Sequence, residues 1–128
     1  HFDEEIRARQ EAAGHYSELI NQKIPEIQTP VVMPDRTCVY AQYTVRIPGG
    51  LRDQVTTFLK QEGIPFAIHY PAPVHLQPAF KGLGLGPGFF PHAEKAAEEV
   101  LSLPMHAFIT PDEQEIVIEG LEMAMGVT

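Results

Sequence analysis

The sequence predicts an α/β (α+β) domain in which a small three-stranded sheet is packed with about four helices. Apolar residues recur at helical spacing in four segments, switch to alternation or short solid runs in three others, and the two kinds of segment alternate along the chain. With 128 residues, 44% of them apolar, the chain is expected to be one domain, residues 1–128. A chain of that size buries about two-thirds of its unfolded surface.

The elements follow in order. Phe2, Ile6, Ala13, Tyr16 and Ile20 lie at spacings near three and four, with Arg7, Arg9, Glu11 and Glu18 on other faces, which predicts a helix near 2–22 that stops before Pro25. Pro25, Pro30 and Pro34 make 24–35 an extended connector. From Thr37 to Ile47, Val39, Ala41, Tyr43, Val45 and Ile47 alternate with Cys38, Tyr40, Gln42, Thr44 and Arg46. That predicts a strand over 37–47 with its odd-numbered face buried, ended by Pro48-Gly49-Gly50. Leu51, Val55, Phe58 and Leu59 mark a helix near 51–62, and Gly63 stands where a left-handed cap is needed. The run Phe66–Ile68 fits a buried strand over 65–69. Leu76 to Leu83 is expected as a short helix, with Gly82, Gly84, Gly86 and Gly88 making a mobile turn; no Lys-Ser or Lys-Thr follows, so this is not a phosphate loop. Pro91 opens a helix near 91–99 whose small face is Ala93, Ala96, Ala97 and Val100, and a strand near 100–103 ends at Pro104. Thr110-Pro111-Asp112-Glu113 is a capping box that starts a helix near 111–125, with Ile116, Val117, Leu121 and Ala124 inward and Gly126 at its end.

Composition removes several function classes. Nine Lys and Arg against seventeen Asp and Glu leave no basic block to neutralise a run of phosphates, so a nucleic-acid surface is not expected. No apolar run approaches the roughly twenty residues of a membrane span, and the lone Cys38 can form no internal disulfide. The start is acidic and amphipathic, not a basic stretch followed by an apolar one, so a cytoplasmic location is expected. The first residue, His1, already lies inside a helical pattern, which implies preceding chain.

The stretch Ile68-His69-Tyr70-Pro71-Ala72-Pro73-Val74-His75-Leu76-Gln77-Pro78-Ala79-Phe80 concentrates the chemistry. Its prolines stiffen the backbone while imidazole, phenol and amide groups are displayed, a composition suited to meeting a ligand or another domain, or to a connector that bonds to itself. His69, His75 and His106 lack the interleaved thiolates, carboxylates or helical pairing of a metal site, and none is expected. Ser17 and Ser102 fall in a helix and a strand, Cys38 has no assigned base, and Lys23, Lys60, Lys81 and Lys95 read as solvated. From the residues alone no self-sufficient catalytic set emerges.

The run His69 to Phe80, followed by Phe90-Pro91 to Ala93-Glu94 and by Leu101-Ser102-Leu103-Pro104-Met105-His106, closely resembles the C-terminal part of the DegT-type sugar aminotransferases. Arg7-Ala8-Arg9-Gln10 to Tyr16 resembles the helix that leaves their large domain, and Thr110 to Gly126 their last helix. The resemblance implies the C-terminal small domain of a fold-type-I enzyme that uses pyridoxal phosphate to aminate nucleotide-linked keto sugars. It implies further that the cofactor and the lysine that carries it belong to an N-terminal large domain, so that this fragment binds no cofactor and is inactive alone. Expected partners are that large domain, a second subunit in a homodimer, a nucleotide sugar and an amino donor. His69, Tyr70, His75 and Gln77 would face the sugar-nucleotide cleft. A stand-alone binding module of the same fold and the same domain of a pyridoxal-phosphate sugar dehydratase remain alternatives.

Overall fold

The computed structural model describes residues 1–126. The elements are α1 (Phe2–Lys23), β1 (Tyr43–Arg46), α2 (Arg52–Gln61), α3 (Pro91–Glu99), β2 (Val100–Leu103) and α4 (Pro111–Met125), with short 3-10 turns at Val74–Leu76 and Pro78–Leu83. The mixed α/β class and the four helices agree with the sequence reading. The sheet is smaller than expected. β1 and β2 pair antiparallel with Tyr43 opposite Leu103 and Arg46 opposite Val100, and each outer edge carries one further bridge, Gln28 to Arg46 and Ala67 to Ser102.

The third strand expected over 65–69 is thus reduced to Ala67, whose N–H donates to Ser102 O at 3.1 Å and whose carbonyl accepts from Ser102 N at 2.8 Å. Continuing that ladder would set Pro65 against Pro104, and neither has an N–H. In the other direction it would set His69 against Val100. There the N–H of Val100 is already bonded to Ala96 O, and its carbonyl accepts from Arg52 Nη1 at 3.1 Å.

The strand expected over 37–47 shrinks to its last third for a different reason. Tyr40 sits in the left-handed region with φ 49°, which an extended ladder cannot contain. Two side chains of α1 hold it there, Arg9 Nη1 donating to Tyr40 O at 3.1 Å and Gln10 Nε2 to Cys38 O at 3.0 Å. Only Tyr43, Val45 and Ile47 of the predicted inward face are buried; Val39 and Ala41 are exposed.

The core lies between the sheet and α1, α2 and α4. The buried stripe of α1 begins only at Ala12 and continues through Ala13, Tyr16, Leu19 and Ile20, so Phe2, expected inward, is exposed. Tyr16 and Tyr43 stack with ring centroids 5.0 Å apart. Each buried phenol keeps a partner, Tyr16 donating to Pro104 O and Tyr43 sharing a hydrogen bond with Ser17 Oγ, both at 2.8 Å. Burial pushes Tyr43 up to about 12 and Tyr16 well above the ordinary phenol value.

The capping box forms as read: Thr110 Oγ1 accepts from Glu113 N at 3.2 Å, and Glu113 Oε2 accepts from Thr110 N at 2.8 Å. Those bonds hold the Glu113 carboxyl below its usual value. Along α4 the buried positions are Gln114, Val117, Ile118, Gly120, Leu121 and Ala124. Ile116, expected inward, lies off that stripe and is exposed. Gly120 lets α4 approach α2 closely, since a Cβ there would collide with Ile64 Cδ1 and stand 3.3 Å from Leu59 Cδ2. Gln114 Nε2 donates to Ala12 O at 2.7 Å, tying α4 to α1 through the interior.

Candidate functional site

Residues 69–90 form a shaped segment between α2 and α3. Pro73 and Gln77, at ψ 153° and 147°, are the extended residues that interrupt it. Each is followed by a tight 3-10 turn, closed by Leu76 N to Pro73 O and Phe80 N to Gln77 O, both at 3.0 Å. The short helix expected over Leu76–Leu83 is therefore two 3-10 turns broken before Pro78.

This geometry separates the four predicted site residues. His69 and Tyr70 are exposed and set edge to face, with ring centroids 5.6 Å apart. His75 turns inward instead. Its side chain is only 7% exposed, its Nε2 stands 3.6 Å from Glu94 Oε2, and its ring meets Phe90 edge to face at 4.8 Å. Gln77 is half-buried at the joint between the two turns.

Two cavities flank His75. One, of about 570 Å³, is lined by His75, Leu76, Pro78, Lys81, Gly86 and Pro87 among others. The other, of about 390 Å³, is nearly all apolar, with Val74, Phe80, Leu83 and Phe90 on its walls. His69, Tyr70 and Gln77 line neither. Thus the structure brings His69 to Tyr70, and His75 to Glu94 and Phe90, without gathering all four around one space.

Glu94, which the sequence reading did not place among the candidate site residues, is the group that meets His75. Its carboxylate accepts from Gly88 N at 2.8 Å and 3.0 Å and from Phe90 N at 3.2 Å. A sequence signal existed, an acid in the first turn of a helix opened by Pro91, where free N–H groups need acceptors. Its pairing with His75, nineteen positions earlier, had none. α3 buries only Ala97 and leaves Ala93 exposed, so the expected small-residue face is narrower. Because Arg52 Nη1 binds both Ala97 O and Val100 O, at 2.9 Å and 3.1 Å, α3 and the segment it ends are pinned to α2.

Among the described residues, no three His, Cys, Asp or Glu side chains converge as a metal site. No helix among them is long and apolar enough to cross a membrane. Lys60, Lys81 and Lys95 are exposed, and Lys23, half-buried, stands 3.8 Å from Glu122. None offers the desolvated amine that a covalently held carbonyl cofactor requires, so the residues of this chain do not by themselves fit pyridoxal phosphate.

Residues 1–122 match the DegT/DnrJ/EryC1/StrS aminotransferase family. The chain is 40% identical over 122 residues to a "Pleiotropic regulatory protein" of Geobacillus stearothermophilus, covering 94% of this chain and 32% of that protein. It is 38% identical over 120 residues to a UDP-2-acetamido-2-deoxy-3-oxo-D-glucuronate aminotransferase of Pseudomonas aeruginosa, again covering 94% of this chain and 32% of the relative. The crystal structure of S. venezuelae DesV in complex with a ketimine intermediate superimposes with a TM-score of 0.87 at 35% identity, over 98% of this chain and 33% of that one. The chain therefore spans about a third of the length of these relatives. With the match running from α1 through most of α4 and the fold agreeing over nearly every residue, the chain belongs to the DegT/DnrJ/EryC1/StrS aminotransferase family.

Proposed function

We propose that this chain is the C-terminal small domain of a pyridoxal-phosphate-dependent aminotransferase acting on nucleotide-linked keto sugars, and that its 69–90 segment forms one wall of the sugar-nucleotide cleft. The observation that carries this is the display of His69 and Tyr70 at the exposed start of a proline-stiffened segment, in a chain alike throughout to an aminotransferase of a UDP-linked sugar. The cofactor, the lysine that carries it and the second subunit of a homodimer are assigned to the rest of the protein. Amino transfer is the chemistry that pyridoxal phosphate supplies there. This chain's side chains bind and orient. Imidazole and phenol each donate and accept, which suits sugar hydroxyls and diphosphate oxygens bound without a full counter-charge.

Within that reading His69 and Tyr70 touch the ligand directly, Gln77 contributes from the joint, and His75 meets it from the cavity wall. For His75 a second reading has its own support, since the buried ring and the 3.6 Å approach to Glu94 make it a tie within the loop. Substitution in the intact protein separates the two. Tyr70→Phe and His69→Ala are expected to weaken nucleotide-sugar binding by about 1–3 kcal/mol with the cofactor's absorption spectrum unchanged. His75→Ala does the same if it faces ligand, and lowers thermal stability with affinity unchanged if it only ties the loop. Unchanged binding and Michaelis constants in all three variants would remove this segment from the cleft.

A further inference from the structure

We propose that Glu94 is the positioning residue of the histidine loop, and that the proton on His75 sets how firmly it holds. The Glu94 carboxylate is the shared acceptor for Gly88 and Phe90, and Gly88, at φ 94°, occupies backbone space that L side chains rarely enter. Weakening the acceptor leaves these two surface amides to water and loosens the turn that walls the larger cavity at Gly86 and Pro87.

His75 is built to modulate that grip. Its Nε2 is buried without a hydrogen-bond partner, 3.6 Å from a Glu94 oxygen. A buried polar atom left unpaired is costly. Taking a proton from solvent makes the imidazole a cation facing a carboxylate, so the 74–76 turn is drawn to the start of α3; losing it relaxes the contact. No covalent bond changes. The other charged residue on the wall of the larger cavity is Lys81, from the second 3-10 turn. His92 and Glu98 of α3 are exposed and line neither cavity, and Lys95 lies 3.9 Å from Glu99. The remaining walls of both cavities are aliphatic, aromatic, proline or glycine.

The experiment is amide hydrogen exchange on the intact protein at about pH 8 and about pH 5.5, which bracket the range in which imidazoles titrate, with rates corrected for intrinsic exchange. In the wild type, protection across 84–90 is expected to be about threefold greater at the lower pH, while α4 is unchanged. Glu94→Gln, which keeps one neutral acceptor oxygen in place of a carboxylate, is expected to raise exchange at Gly88 and Phe90 about threefold at both pH values and to abolish the pH difference. His75→Gln is expected to abolish the pH difference while Gly88 and Phe90 stay protected. A wild type with no pH difference, or either variant retaining it, overturns the proposal; should Glu94→Gln fail to fold, His75→Gln decides alone. A second arm rests on the cleft reading: UDP and dTDP titrated into the wild type are expected to bind with pH-dependent affinity that Glu94→Gln loses. If exchange behaves as stated and nucleotide affinity is flat, the latch stands and the cleft assignment fails.

Discussion

At the scale of single residues, the two stacked tyrosines are expected to set the alkaline limit of the fold. A phenol whose value is raised in the folded state contributes stability in full below its unfolded value near 10 and loses it as pH rises through the folded value. With Tyr43 at about 12 and Tyr16 also raised by burial, stability is expected to fall from about pH 10 upward. Absorbance at 295 nm should then show Tyr16 and Tyr43 ionising late and together with loss of helical circular dichroism. Tyr43→Phe should move the alkaline transition upward while costing about 1 kcal/mol at neutral pH for the lost bond to Ser17 Oγ. Early ionisation of all four tyrosines with the helices intact would contradict the burial argument. Glu94 and Arg52 mark the limit of residue-level reading. Each acts on a segment remote in sequence, and a single charged side chain carries no periodic signature of its distant acceptor or donor.

At the scale of elements, α4 offers a cap and a close contact that can be tested separately. Thr110→Ala removes the acceptor for Glu113 N and is expected to cost about 1 kcal/mol by chemical denaturation. Gly120→Ala gains about 1 kcal/mol of helix propensity but forces a methyl against Ile64 Cδ1, an overpacking cost of about 1–3 kcal/mol. The net expectation is a small loss, and the sharper sign is coupling. Ile64→Val, which deletes Cδ1, should destabilise the wild type yet rescue Gly120→Ala, and strict additivity of the two would deny the close approach. The helices were legible because their signals are local: periodicity, Pro91 at a first turn, Thr110 with Glu113 and the glycine caps. The strands were legible only in part. Nothing in the alternation of 37–47 reveals that Arg9 and Gln10 bind the carbonyls of Tyr40 and Cys38, or that Pro65 would face Pro104. Of the site, the composition of 69–77 was readable, whereas the inward turn of His75 depended on a partner in another element.

At the scale of the whole molecule, much apolar surface lies outside the core. Val31 and Met33 in the connector, and Tyr70, Val74, Leu83 and Phe89 around the loop, are all more than half exposed. The 128-residue chain by itself is expected to self-associate in sedimentation runs at rising concentration, and mixing it with pyridoxal phosphate and borohydride should give no specific single-lysine adduct. One stoichiometric adduct at neutral pH would place cofactor chemistry within this chain. The two edge bridges have a bearing on what form that association takes. In an antiparallel pair alternate residues turn their N–H and C=O outward; here they are Arg46 and Thr44 on β1 and Ser102 and Val100 on β2. Gln28 takes both groups of Arg46, Ala67 both groups of Ser102, and Ala96 and Arg52 those of Val100. Among the described residues of these two strands, Thr44 is the one left with outward backbone groups free of such a partner. Any self-association of the chain is therefore expected to proceed by reversible contact between apolar faces and not by strand addition along β1 and β2.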